Sequence, residues 1–142
     1  MKGLDGLTMT VTWSVKHLHG GKILAFETSG LYLPADSARL VAEILATKLD
    51  EDTLGILVDH RASEVRFETV DIYNRPKLYG GTDLFAKVRV AVLFRKVGPD
   101  EQFYETVCRN SGYGIRVFED YDQAVGWLLE AEKDRRPWTG RA

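Results

Sequence analysis

The chain has 142 residues, 44% hydrophobic and 28% charged, with 19 Lys plus Arg against 21 Asp plus Glu for a formal charge of −2. That mix is globular rather than disordered, and the near-balance excludes a strongly basic nucleic-acid binder or an anionic-membrane binder as the default reading. The length suits one domain, 1–142, with a single cysteine and therefore no intramolecular disulfide.

The start Met1-Lys2-Gly3-Leu4-Asp5-Gly6 lacks the apolar run of a secretory signal, and nothing approaches the roughly 18 apolar residues of a membrane span. A cytoplasmic protein is expected. From Thr8 to His17, Met9, Val11, Trp13 and Val15 alternate with polar residues, the period of a strand with one buried face. A second strand, Lys22 to Thr28, carries the continuous apolar centre Ile23 to Phe26, and Gly20-Gly21 supplies a tight connection between the two. The period then becomes helical from Pro34 to Leu49, with Ala38, Val41, Leu45 and Leu49 on one face and Leu40 and Ile44 beside them. Pro34 suits the first helical position, and Asp36 opposes the positive end of the dipole.

Leu54 to Asp59 is a short apolar block, expected as a central strand covered on both faces. Residues 60–81 begin with an extended link, after which Val70, Tyr73 and Lys77 share a helical face. Thr69 or Ser63 is the candidate N-cap, Pro76 breaks the helix near Arg75, and Tyr79-Gly80-Gly81-Thr82 turns the chain. Lys87 to Lys96 holds the strongest strand, Val88 to Phe94, and Gly98-Pro99-Asp100-Glu101 opens a helix carrying Phe103, Val107 and Cys108. Asn110-Ser111-Gly112 stops it. Tyr113 to Phe118 is a fifth strand, and Asp120-Tyr121-Asp122-Gln123 resembles a capping box before a helix with Ala124, Trp127, Leu128 and Ala131 on one face.

The expected order is thus β-β-α-β-α-β-α-β-α: an α/β domain with a mixed, mostly parallel five-stranded sheet and about four covering helices. Its ordered core spans about 8–131, and the polar tail 132–142 is expected to fray. In Gly55 to Asp59, Val88 to Val92 and the closing run Gly114 to Leu128, the chain resembles the SpoIIAA-like family of the STAS superfamily, the anti-sigma-factor-antagonist fold. The resemblance implies a small α/β sandwich acting in regulation or ligand binding, without established catalysis. It also implies a phosphoacceptor at the helix that follows the central strand, where Thr69 is the candidate. The Asp-Ser-Ser-Gly motif of that family is absent, however, and Glu68 and Asp71 flank Thr69 with like charge.

Chemical motifs are sparse. His17 and His19 fall on one strand face, but His60 is the only other histidine, so no metal site and no cofactor is expected. Gly20-Gly21 and Gly80-Gly81 match no phosphate-binding spacing. Cys108 reads as a buried small hydrophobe. Asp59 and His60 point to opposite sides of a strand, which disfavours a relay with Ser63 and leaves Asp59 and Arg61 to pair with each other or with loop backbone. Tyr73, Tyr79, Phe85 and Phe103 could line an apolar pocket or a partner surface. The expected function is a non-enzymatic module that meets a protein partner or a small apolar ligand through residues 60–81. Asp59, Arg61, Ser63 and Thr69 would supply polar contacts, and Tyr73 and Tyr79 apolar ones. The alternatives are a small-molecule enzyme using Asp59, His60 or Ser63, and a homodimerisation module.

Overall fold

The computed structural model describes residues 10–47, 49, 51–79 and 84–134. Five strands, β1 (Thr12–Leu18), β2 (Ile23–Tyr32), β3 (Gly55–Val65), β4 (Arg89–Leu93) and β5 (Ile115–Phe118), form one sheet in that spatial order. β1 runs antiparallel to β2, and every later pair is parallel. The helices are α1 (Pro34–Ala46), α2 (Thr69–Asn74), α3 (Leu84–Lys87), α4 (Pro99–Asn110), α5 (Tyr121–Leu129) and α6 (Ala131–Asp134), with 3-10 turns at His19–Gly21 and Arg75–Tyr79. The fold class and the order of the five strands are those expected from the periodicity, but the single helix expected between β3 and β4 is divided into α2, a 3-10 turn and α3, and a short α6 follows α5.

Because the strands lie in sequence order, right-handed crossovers carry the connecting helices α1 to α4 to the same side of the sheet. On that side Leu24, Phe26, Ile56, Val58, Val90 and Val92 pack against Leu40, Ile44, Ile72, Phe85, Tyr104 and Cys108. The other side has one main cover, α5, whose Ala124, Val125, Trp127 and Leu128 meet Ile23, Ala25, Leu57, Ala91 and Leu93. Cover on both sides is the physical reason that β2, β3 and β4 have unbroken apolar centres.

Several local expectations shift. The buried stripe of α1 is Ser37, Leu40, Val41 and Ile44, while Ala38 and Leu45 are exposed. The helix ends at Ala46, short of Leu49, so its phase is set by the residues that reach the sheet. Val15 on the edge strand β1 is 41% exposed although it pairs with buried Phe26. Trp13 on the same side is half-buried, with Arg39 of α1 over its ring at 5.1 Å. The link between β1 and β2 does use Gly20 and Gly21, at φ 67° and 90°, but His19 joins that turn at φ 53° and leaves the strand. His17 and His19 therefore do not share a strand face. Phe103 lies on the open side of α4, whose buried residues are Tyr104 and Cys108.

Helix starts follow the chemistry of their first turns. The Leu33 amide donates to Asp36 Oδ2 at 2.9 Å and the Gly98 amide to Glu101 Oε1 at 2.9 Å, each beside a proline at the first helical position. At α5 the Asp120 carboxylate accepts the Gln123 amide at 3.1 Å; among the described residues this is the half of the capping box that forms. Asp120→Ala is expected to cost about 1 kcal/mol and lower Tm by a few degrees in a thermal melt. The expected Met9 position, the Gly80-Gly81-Thr82 turn and the tail beyond Asp134 lie outside the described residues. No helix among the described residues is long and apolar enough to cross a membrane.

Candidate functional site

The centre of the candidate site is made by an irregularity in β3. Glu27 pairs with Asp59 and Ser29 with Ala62, so β3 places His60 and Arg61 against the single residue Thr28 of β2. Such a bulge changes the parity of the strand. Before it Ile56, Val58 and His60 face the helix-rich side; after it Ser63 is buried and Val65 packs into the same core. The stretch expected as an extended link is thus the second half of a long central strand.

Thr28 ties the bulge together. Its Oγ1 lies 2.7 Å from His60 Nδ1 and 2.7 Å from Ser63 Oγ, with the Asp59 carbonyl at 3.3 Å. The His60 ring sits against Tyr32 at 4.4 Å between centroids and Phe94 at 5.6 Å. Burial pushes the His60 imidazole down from 6.5 to about 3; Asp59 opposes that shift, and the Arg75 cation adds to it. At neutral pH His60 is an uncharged hydrogen-bonding group in a sealed core.

Asp59 belongs to the opposite side of the sheet. Its carboxylate takes Arg61 through Nε at 3.1 Å and NH2 at 2.9 Å, and accepts the Arg61 amide at 3.0 Å. Arg61 in turn covers the Tyr121 ring of α5 at 5.4 Å. Asp59 pairs with Arg61 as strand alternation requires, and Asp59, His60 and Ser63 do not form a catalytic relay.

Beyond His60, on the helix-rich side, is a cavity of about 40 Å³. Its walls combine Leu40, Ile44, Val92 and Phe85 with Tyr32, Phe67, Phe94, Tyr79, Tyr104 and Arg75. The Tyr79 and Tyr104 hydroxyls are 3.0 Å apart, and burial raises both above the ordinary phenol range. Cys108 is buried close by, its thiol pushed up to about 12 mainly by burial, so it behaves as the unreactive hydrophobe expected of it.

The residues proposed from sequence therefore do not make one patch. Asp59 and Arg61 face α5, Ser63 is buried beneath Thr28, and Tyr79 is a cavity wall. Thr69 is the exposed first residue of α2, whose N-cap is Glu68 without a side-chain cap bond, so neither Thr69 nor Ser63 caps the helix. Tyr73 is 67% exposed and Val70 60%. The buried stripe is Ile72, Arg75 and Tyr79, not Val70, Tyr73 and Lys77. Sequence reading missed Tyr32, Phe67, Phe94, Tyr104 and Arg75 as cavity residues. The available signal was the spacing Ile72, Arg75, Tyr79, which puts a cation on an apolar stripe just before Pro76.

Among solved structures the chain is similar to an anti-sigma factor antagonist from Mycobacterium paratuberculosis, at TM-score 0.55 and 15% identity, covering 84% of this chain and 95% of that one. It is also similar to an uncharacterized protein of the DUF3478 family with a SpoIIAA-like fold from Shewanella loihica PV-4. There the TM-score is 0.51 and the identity 18%, over 83% of this chain and 93% of that one. No protein-family model and no curated protein matches the sequence. The fold is SpoIIAA-like, as the resemblance implied.

Proposed function

We propose that this chain is a non-enzymatic regulatory module of the cytoplasm that works by contact with a protein partner, with α2 as the contact surface. The observation that carries this reading is the pair Val70 and Tyr73, three residues apart on one helix and exposed by 60% and 67%. Leu78 in the turn that follows is also 36% exposed, and Thr69 is an exposed hydroxyl residue next to Val70 on the same helix. Residues three apart on a helix are surface neighbours, and such a patch suits a partner interface. The structural similarity supports the reading, since one similar protein is by name an antagonist of an anti-sigma factor. Asp59 and Arg61 stand on the other side of the sheet, and Ser63 and Tyr79 are buried, so they are left out of this contact.

A photo-crosslinking side chain at position 73, in cells that produce the protein, tests the surface. A single discrete adduct is expected, reduced at least about tenfold by Val70→Asp, a loss equivalent to about 1.4 kcal/mol. Because Val70 is exposed, that substitution should leave Tm within a few degrees of wild type. An adduct of twice the chain mass would make the partner a second copy. Absence of any adduct, or capture that Val70→Asp leaves intact, would remove α2 as the surface.

A further inference from the structure

We propose that the cavity behind His60 is a binding site for one compact carboxylate anion, of the size of formate to propionate, with Arg75 as its cationic anchor. Arg75 is 7% exposed and borders the cavity, its guanidinium 5.6 Å from the centre of the Tyr104 ring. Among the described residues no hydrogen bond and no ion pair holds it. The groups that act on it electrostatically are the hydroxyls of Tyr104, Tyr79 and Tyr32 and the Cys108 thiol, not carboxylates. Those four groups are all pushed toward their neutral forms by burial. His60, the other titratable wall, is uncharged at neutral pH. The cavity thus carries one positive charge with no counterion among these walls.

Burial penalises the Arg75 charge and the surrounding hydroxyls and thiol offset that penalty, but none of them is a counterion, and a bound anion supplies one. The local backbone fixes the side chain: Arg75 caps α2 through its amide to the Ile72 carbonyl and begins the turn that ends at Tyr79. A planar guanidinium matches the two oxygens of a carboxylate, and the tyrosine hydroxyls of the walls can donate further bonds. Ser37 Oγ, sealed in the same wall and without a hydrogen bond of good geometry, is an additional donor.

Size and charge narrow the class. At roughly 10–15 Å³ for one water, about 40 Å³ accommodates about three waters or one anion of a few heavy atoms. Leu40, Ile44 and Val92 suit a short alkyl group and would leave the second charge of a phosphate dianion uncompensated. The site is independent of the α2 contact surface, which lies outside the cavity walls.

Acetate is the probe, with chloride at equal ionic strength as the reference. At about 50 mM acetate, Tm of the full chain is expected to rise by several degrees and to saturate, as binding to the folded state requires. Arg75→Met should weaken acetate binding at least about tenfold and, without acetate, should raise Tm, since it removes a buried charge that has no counterion among the cavity walls. A purely structural arginine predicts the reverse, a lower Tm in Arg75→Met. Should that variant not fold, wild type with carbon-13-labelled acetate decides by NMR: methyl contacts to the rings of Phe85 or Tyr104 are expected. Equal Tm in acetate and chloride, an unchanged response in Arg75→Met, absent ring contacts, or stronger stabilisation by inorganic phosphate than by acetate would each overturn the site.

Discussion

Acidification from pH 7 to pH 5 is expected to cost the folded state about 2 kcal/mol through His60 alone, and His60→Gln should remove that part of the loss. The imidazole is held at about 3 when folded, against 6.5 in the open chain. Above 6.5 both states are neutral at this group and it contributes no pH dependence. As pH falls below 6.5 the unfolded chain gains a proton that the folded chain refuses, so stability declines continuously until about 3. At pH 5 the gap is 1.5 pH units, which at about 1.36 kcal/mol each gives the stated loss. The cause is the position of the ring, between Tyr32 and Phe94 with Nδ1 on Thr28. Gln keeps a polar partner for Thr28 without a titrating charge. Urea midpoints of the two proteins at pH 7, 6 and 5 make the comparison. Parallel declines in both would show that other groups set the acid response.

A second large effect is expected at Gly55, where β3 begins. A methyl group added there would lie 2.6 Å from Leu128 Cδ2 and 2.8 Å from the Arg89 carbonyl oxygen. The leucine is fully buried on the inner face of α5, and the carbonyl belongs to the backbone of the neighbouring strand, so neither can withdraw freely. Gly55→Ala is therefore expected to cost about 3 kcal/mol, at the upper end of overpacking penalties, and to lower Tm by roughly 10 °C. Gly126 is the internal control. It lies in α5 with nothing within 4 Å of an added methyl, so Gly126→Ala should raise stability by about 0.5–1 kcal/mol. Equal effects at the two glycines in thermal melts would defeat the close-contact argument.

Much of this fold is legible from hydrophobic period. The runs Ile23 to Phe26, Leu54 to Asp59 and Val88 to Phe94 announce central strands because each is covered on both sides, and Asp120 announces α5 because its carboxylate caps it. Where the pattern misleads, a specific interaction overrides it. In α2 the apolar Val70 and Tyr73 are outside while Arg75 is inside, an inversion of hydropathy that no period can report. The polar run Asp59-His60-Arg61-Ala62-Ser63 looks like a loop because the bulge inserts one residue and breaks the alternation. The Asp59 to Arg61 pair was readable, since residues two apart share a strand face. Thr28 as the hub for His60 and Ser63 was not, because it depends on the register between strands more than thirty positions apart in sequence.

The dependence of one sheet face on α5 has a consequence for synthesis. All five strands leave the ribosome before Tyr121–Leu129 does. Until then the nascent domain holds its first core under α1 to α4 while Ile23, Leu57 and Leu93 remain open to water on the reverse. A chain halted in that interval is a half-finished product with an adhesive back, suited to a chaperone and prone to self-association. α5, which follows every strand, is the element that closes that apolar face.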